Sequence, residues 1–350
     1  MDINELSDRQ RENLQAALLD HDHNSVIRQL RDFFPEAFPR GAQVSAAQVA
    51  ATAGLPICAR TIMRNSSSLI DQSLAGMTAD EWDEAIGDIS LLRKRLPDLI
   101  AAGPGALNLA LLWAVGDDNA QSVEALLPHA DPCAVNELGA SLLAQASQSN
   151  HPGALGALLA DERARASLRE WGLSGDVCPL GQAAHWGCVT CMEMLLPWVD
   201  ANALREYGET ALMRAVRGDE RECATILARK SDLSVAKENG DRAFDLAVER
   251  LRNCFDVRDE EREEVQWAII DELGVAEPLE RLRALASDPR GSAKMPRYEA
   301  RREAEVLRAE FAAADQAARE NGQDRGDDTD GGLYSSAGVA SAVKRAPRSL

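Results

Sequence analysis

Apolar residues in the middle of the chain recur in one frame. The segments Leu109-Ala110-Leu111-Leu112-Trp113, Ser141-Leu142-Leu143-Ala144-Gln145, Cys178-Pro179-Leu180-Gly181-Gln182, Thr210-Ala211-Leu212-Met213-Arg214 and Arg242-Ala243-Phe244-Asp245-Leu246 align on Leu111, Leu143, Leu180, Leu212 and Phe244. Three of the four intervals are 32 residues and one is 37, the longer holding an insertion around Arg163 to Leu168. About eleven residues after each of the first four anchors comes a second apolar run: Val123 to Leu127, Leu155 to Leu159, Cys191 to Leu196 and Cys223 to Leu227. Two short apolar helices per period cannot bury their faces alone, so the pattern predicts helical hairpins stacked on one another. Ser141 and Thr210 are placed to cap helix N-termini, and Pro179 suits a first helical turn. Glu206-Tyr207-Gly208 and Glu238-Asn239-Gly240 read as turns, with Gly supplying the positive φ.

This frame resembles the ankyrin repeat, whose pattern runs Gly-x-Thr-Pro-Leu-His-x-Ala-Ala, then Gly, then Val-x-x-Leu-Leu; the resemblance covers about residues 105–273. The match is degenerate. The motif His is Ala144, Gly181, Met213 and Asp245 in successive units, and the Pro survives once, as Pro179. The shared phase carries the resemblance, which implies an all-α, ankyrin-repeat-like helical solenoid. The alternative is another helical-hairpin array, although those run at other periods of about 34 to 47 residues.

The flanks divide the rest. Residues 1–100 read as a helical N-terminal region with one or two decayed repeats: Ala50 to Gly54, followed by Ile57, Ile62 and Met63, looks like a unit anchored at Ala47, two periods before Leu111. The stretch Thr78 to Trp82 fits only the first helix of a unit. Residues 101–275 form the repeats, the last of them interrupted by an acidic insertion between Arg252 and Glu264. Residues 276–320 read as C-terminal helices, with a heptad-spaced stripe at Ala300, Ala304, Leu307, Phe311, Ala314 and Ala318. Residues 321–350, rich in Gly, Asp, Ser and Ala, read as a disordered tail.

Composition narrows the function. A core with 4% aromatic residues must be built from Ala, Leu and Val, which suits small helices. A net charge of −19 argues against nucleic acid and anionic membranes as partners and favours a basic segment on a protein. Only five basic residues are Lys, which fits either Arg-biased coding or lysine avoidance near ubiquitin ligases. No run of eighteen apolar residues predicts a membrane span. Met1-Asp2-Ile3-Asn4-Glu5 lacks the layout of a secretory signal, and seven scattered Cys suggest reduced thiols in a cytoplasm. By fold analogy alone, a bacterial protein delivered into a host cell is a plausible setting.

Chemistry is sparse. His185-x-x-Cys188-x-x-Cys191, with Cys178 and Cys223 nearby in frame, is the best metal-like group. However, Cys191 and Cys223 occupy a core position of the repeat, where buried Cys acts as a small hydrophobe, so no metal and no cofactor is expected. Asp20-His21-Asp22-His23-Asn24 is better read as a helix cap. No phosphate loop, dinucleotide fingerprint, nucleophile elbow or zinc-protease motif occurs, so the chain is expected not to be an enzyme. The rival is an unrecognised catalytic region in 1–100, with the repeats recruiting substrate.

The resemblance implies that partners are bound by hairpin tips and by the inner helix face. Carried over residue by residue, it points to Glu206, Tyr207 and Glu209, to Glu238, Asn239 and Asp241, and to His185, Trp186 and Arg217. Further tips fall at Glu137, Leu138 and Ala140 and, where the 37-residue interval leaves the turn unframed, at Ser174, Gly175 and Val177. Trp186 and Tyr207 are expected on one side, as an aromatic centre within a rim of Glu206, Glu209, Glu238 and Asp241. The competing expectation is that Trp186 folds back over His185 or the insertion.

Overall fold

The computed structural model describes residues 6–273, apart from residues 21, 40, 41, 69, 137, 138, 171–177, 205–207 and 258. All of these belong to the first of two compact units, residues 1–278. The C-terminal helices and tail expected beyond 276, and the residues Glu206 and Tyr207, lie outside the described residues, as do Glu137, Leu138, Ser174, Gly175 and Val177.

The described chain is mostly helical. Helices α1 (Asp8–Leu19), α2 (His23–Phe33), α3 (Ala46–Thr52) and α4 (Pro56–Asn65) come first. A minimal hairpin of β1 (Ser73–Leu74) and β2 (Met77–Thr78) follows, pairing Ser73 with Thr78 and Leu74 with Met77. Its two turn residues, Ala75 and Gly76, both have positive φ, as a two-residue hairpin turn demands. Then come α5 (Ala79–Gly87), α6 (Ile89–Ala102), α7 (Pro104–Gly116), α8 (Ala120–Leu126), α9 (Leu142–Gln148), α10 (Pro152–Ala160) and α11 (Glu162–Glu170). The series ends with α12 (Pro179–His185), α13 (Val189–Leu195), α14 (Ala211–Arg217), α15 (Arg221–Ala228), α16 (Ala243–Val257) and α17 (Glu260–Leu273).

From α7 onward the helices pair as hairpins, α7 with α8, α9 with α10, α12 with α13, α14 with α15 and α16 with α17. The first helices of these pairs pack on one another in sequence order, and so do the second helices. The caps work as their residue types dictate: Ser141 Oγ accepts from the Ala144 amide at 3.1 Å, and Thr210 Oγ1 from that of Met213 at 3.2 Å. The turn within each of the first four hairpins passes through one left-handed residue: Asp118, Asn150, Gly187 and Asp219, with φ of 52°, 55°, 69° and 63°. Their spacing repeats the 32, 37 and 32 residues of the apolar anchors. Asp and Asn tolerate this conformation better than other side chains, and here they also tie hairpins together. Asp118 Oδ1 accepts from the Ala154 amide at 2.7 Å, and Asp219 receives Gln266 and Arg250. The links are therefore between successive units. The core along this stack is Ala, Leu, Val and Cys, with Trp113 as its one large aromatic ring among the described residues from α7 to α15.

Two expectations change. The 37-residue interval is not a loose insertion in its first part: residues 162–170 form α11, which packs on α10. The acidic stretch after Arg252 does not interrupt the last unit. α16 runs on to Val257, and Glu260, Glu261 and Glu263 form the first turn of α17, where carboxylates complement the helix dipole. In the N-terminal region, α3 and α4 form a hairpin turned by Gly54 (φ 76°) and pack on α7, with Ala46, Ala47, Val49, Ala50 and Ala51 buried. α5 and α6 follow as a pair of unequal length, opened by a Thr78–Glu81 capping box.

Candidate functional site

The described residues among those singled out in the sequence lie at the ends of α12 and α14 and at the tip before α16. Trp186 closes α12 and is 53% exposed, the most exposed Trp among the described residues. It stays half exposed while leaning on His185, as the competing expectation had it in part. Its Nε1 donates to Gln182 Oε1 at 3.1 Å, and its ring meets His185 edge-on, centroids 5.3 Å apart. The polar end of the indole is thus satisfied by the helix it caps, while most of the ring faces outward. His185 is half-buried, with Nδ1 3.3 Å from the carbonyl oxygen of Arg214 in the next hairpin. Beneath the following turn, the Glu220 carboxylate lies against the Cα of Gly187, a place no side chain at 187 could share. Burial, and then neighbouring Asp219, raise the Glu220 carboxyl above its ordinary range.

Glu209 is not a rim residue. It is 1% exposed, and it accepts hydrogen bonds from Arg217 Nε at 3.1 Å and Lys237 Nζ at 3.0 Å, with Arg214 Nη1 at 4.0 Å. The expected acidic rim therefore loses Glu209, because cations from its own hairpin and from the next tip draw the carboxylate inward. Burial is the largest single influence on its pKa and acts upward; the bonds from Arg217 and Lys237 outweigh it, so the carboxyl sits below its usual range. Arg217, also placed at the partner surface, is 44% exposed but holds Glu209. Glu238 and Asn239 are exposed at the last tip, where the Asn239 amide donates to Asp241 Oδ2 at 2.7 Å. A small cleft of about 10 Å³ opens beside the cluster, lined by Cys178, Leu180, Asp200, Ala203, Glu209 and Arg214 among others.

The cysteines fall where the repeat frame puts them. Cys191 and Cys223 are fully buried, and burial pushes both thiols up to about 12, far from the thiolate state a nucleophile or ligand requires. Among the described residues no three His, Cys, Asp or Glu side chains are grouped as metal ligands.

Two features escaped the sequence reading. Trp198, after α13, is 49% exposed with the Arg165 guanidinium 5.3 Å from its ring centre. A Trp just beyond a second apolar run was the available signal. The other is a cation–aromatic group at the N-terminal side of the stack. Trp82 and Trp113 are stacked, centroids 5.5 Å apart, and the guanidinium groups of Arg60 and Arg64 lie 4.6 and 5.2 Å from the Trp113 ring. Asp83 accepts from Trp113 Nε1 at 2.7 Å and from Arg64 Nη2 at 2.8 Å. No local pattern announces this group, since its members come from α4, α5 and α7.

Neither models of known protein families nor characterised proteins give a match to this chain.

Proposed function

We propose that this chain is a protein-interaction module of the ankyrin-repeat type, not an enzyme, and that it engages a partner protein through the edge centred on Trp186. The observation that carries the reading is Trp186 itself: a large aromatic ring, half exposed, its indole N–H already satisfied, mounted on a helix pinned by both neighbouring hairpins. A rigid aromatic side chain costs little entropy on binding and is the commonest kind of interface anchor. The 32-residue phase of caps and left-handed turns supports the ankyrin assignment. The partner is one that brings an apolar anchor to Trp186 and a basic group to Glu220 and Glu238. With Glu209 withdrawn, the charge contribution is carried by fewer acids and the aromatic contact by more of the energy. Seven free thiols, six of them buried, support a reducing compartment such as the cytoplasm, whether of the source cell or of a host.

The test is affinity capture from a cytosolic extract with the wild-type chain and with Trp186→Ala, followed by titration of purified components. The expected result is a partner whose affinity falls by about 2 kcal/mol in the variant and weakens with salt. A set of partners bound equally well by both proteins would overturn the reading.

A further inference from the structure

Arg60 stands out for what it does not do. Its side chain is 25% exposed, yet among the described residues its guanidinium makes no hydrogen bond. Its one ion pair is with Asp117 Oδ1 at 3.7 Å, too long for a hydrogen bond. Its face is given to Trp113, and its neighbour one turn on, Arg64, repels it. Arg64 in contrast is fully engaged by Asp83, at 2.8 and 3.0 Å. A guanidinium carries five donors in a rigid fork, and no Arg60 nitrogen is buried without a partner, so the donors it does not use within the described chain are reachable from solvent.

The space those donors face is defined by Gly116, the last residue of α7. A methyl group on its Cα would come 3.1 Å from Arg60 Nη1 and 3.6 Å from Gln145 Nε2, so both donors flank the same bare backbone. The Gln145 side-chain amide, on α9, likewise makes no hydrogen bond among the described residues. Gly116 is half-buried and Asp117 exposed, so the place is open to solvent. Gly116 has no positive φ, so its backbone does not require glycine. The missing side chain serves access.

We propose that Arg60 and Gln145, over Gly116, form a binding site for one anionic oxygen group on a partner polypeptide, a side-chain carboxylate or a phosphate. The Trp113 ring lies 4.6 Å from the Arg60 guanidinium, and Arg64, beside it on the same ring, is tied to Asp83 and so leaves the site to Arg60. Asp117 is the resident counter-charge that the incoming anion replaces. The proposal does not rest on the Trp186 reading: the two sites share no residue, and the probes below are small.

The test is side-chain NMR of arginine Nε–Hε groups in the full chain, the Arg60 signal being identified by its loss in Arg60→Gln. The probes are capped tri-glutamate, capped tri-glutamine and inorganic phosphate. The expected result is a saturable shift of the Arg60 signal with tri-glutamate or with phosphate, none with tri-glutamine, and affinity reduced by about tenfold in Gly116→Ala and in Gln145→Ala, as for one lost charge-assisted hydrogen bond. Gly116→Ala should fold normally, because Ala is the better helix former; Asp117→Asn should bind more tightly. Whichever of the two anions shifts the signal names the source of the group. No shift with either, or an unchanged affinity in both Gly116→Ala and Gln145→Ala, would overturn the proposal.

Discussion

The Cα of Gly218 rests against the carbonyl oxygen of His185, one hairpin earlier, so closely that a Cβ at 218 would occupy the oxygen's place. This contact sets how near α14 approaches α12. Gly218 has φ −77°, a conformation open to every residue, so it is the close approach and not the backbone that needs glycine. Gly218→Ala should therefore destabilise the protein by about 1–3 kcal/mol, measured by denaturant unfolding, with the hairpins forced apart. An unchanged midpoint would mean that the two helices are not packed this tightly.

Glu209 is the buried node of the C-terminal units. Removing its charge leaves Arg214, Arg217 and Lys237 around a neutral amide, which can still accept a hydrogen bond but no longer offsets their charge. Glu209→Gln should cost about 3 kcal/mol, because the buried carboxylate's attraction to these cations is lost. The same residue governs acid stability. Its folded carboxyl lies below the unfolded value of about 4.3, so its contribution is complete above that value and is lost as pH falls through the folded one. The wild-type melting temperature should fall more steeply in acid than that of Glu209→Gln.

Glu220 works in the opposite sense. Its carboxyl is raised by burial and by Asp219, so the fold prefers it protonated and its ionisation subtracts stability as pH rises. Glu220→Gln keeps the shape against Gly187 and removes the charge. It should raise the melting temperature at neutral pH and leave it little changed in acid.

Thiol labelling separates the cysteines. Cys191 and Cys223 are fully buried with thiols near 12, while Cys133 is half-exposed. A maleimide added to the native protein at neutral pH should modify Cys133 first and leave Cys191 and Cys223 unmodified until the chain unfolds. Early labelling of Cys191 would contradict the burial.

Trp186 should matter for binding and little for folding. Trp186→Ala removes one hydrogen bond to Gln182 and an edge contact with His185, both at the surface. A stability loss under about 1 kcal/mol is expected, as for other half-exposed positions. A loss several times larger would make Trp186 part of the core.

What the sequence by itself determined is what depends on neighbours within a turn or two. The phase of Leu111, Leu143, Leu180 and Leu212 reappears in the left-handed residues Asp118, Asn150, Gly187 and Asp219, and Ser141 and Thr210 cap the helices their hydroxyls were placed to cap. Apolar period and capping are local properties, and a linear string displays them. The exposure of Trp186 was legible for the same reason, since it follows the last core position of its helix. The fate of charged side chains was not. Glu209 looked like a rim acid until Lys237, 28 residues on, arrived from the next tip to bury it. Arg60 and Arg64 meet Trp113 and Asp83 only because α4, α5 and α7 converge. Whether a charge faces water or a partner of opposite sign depends on which distant element packs over it, and only the tertiary structure decides that.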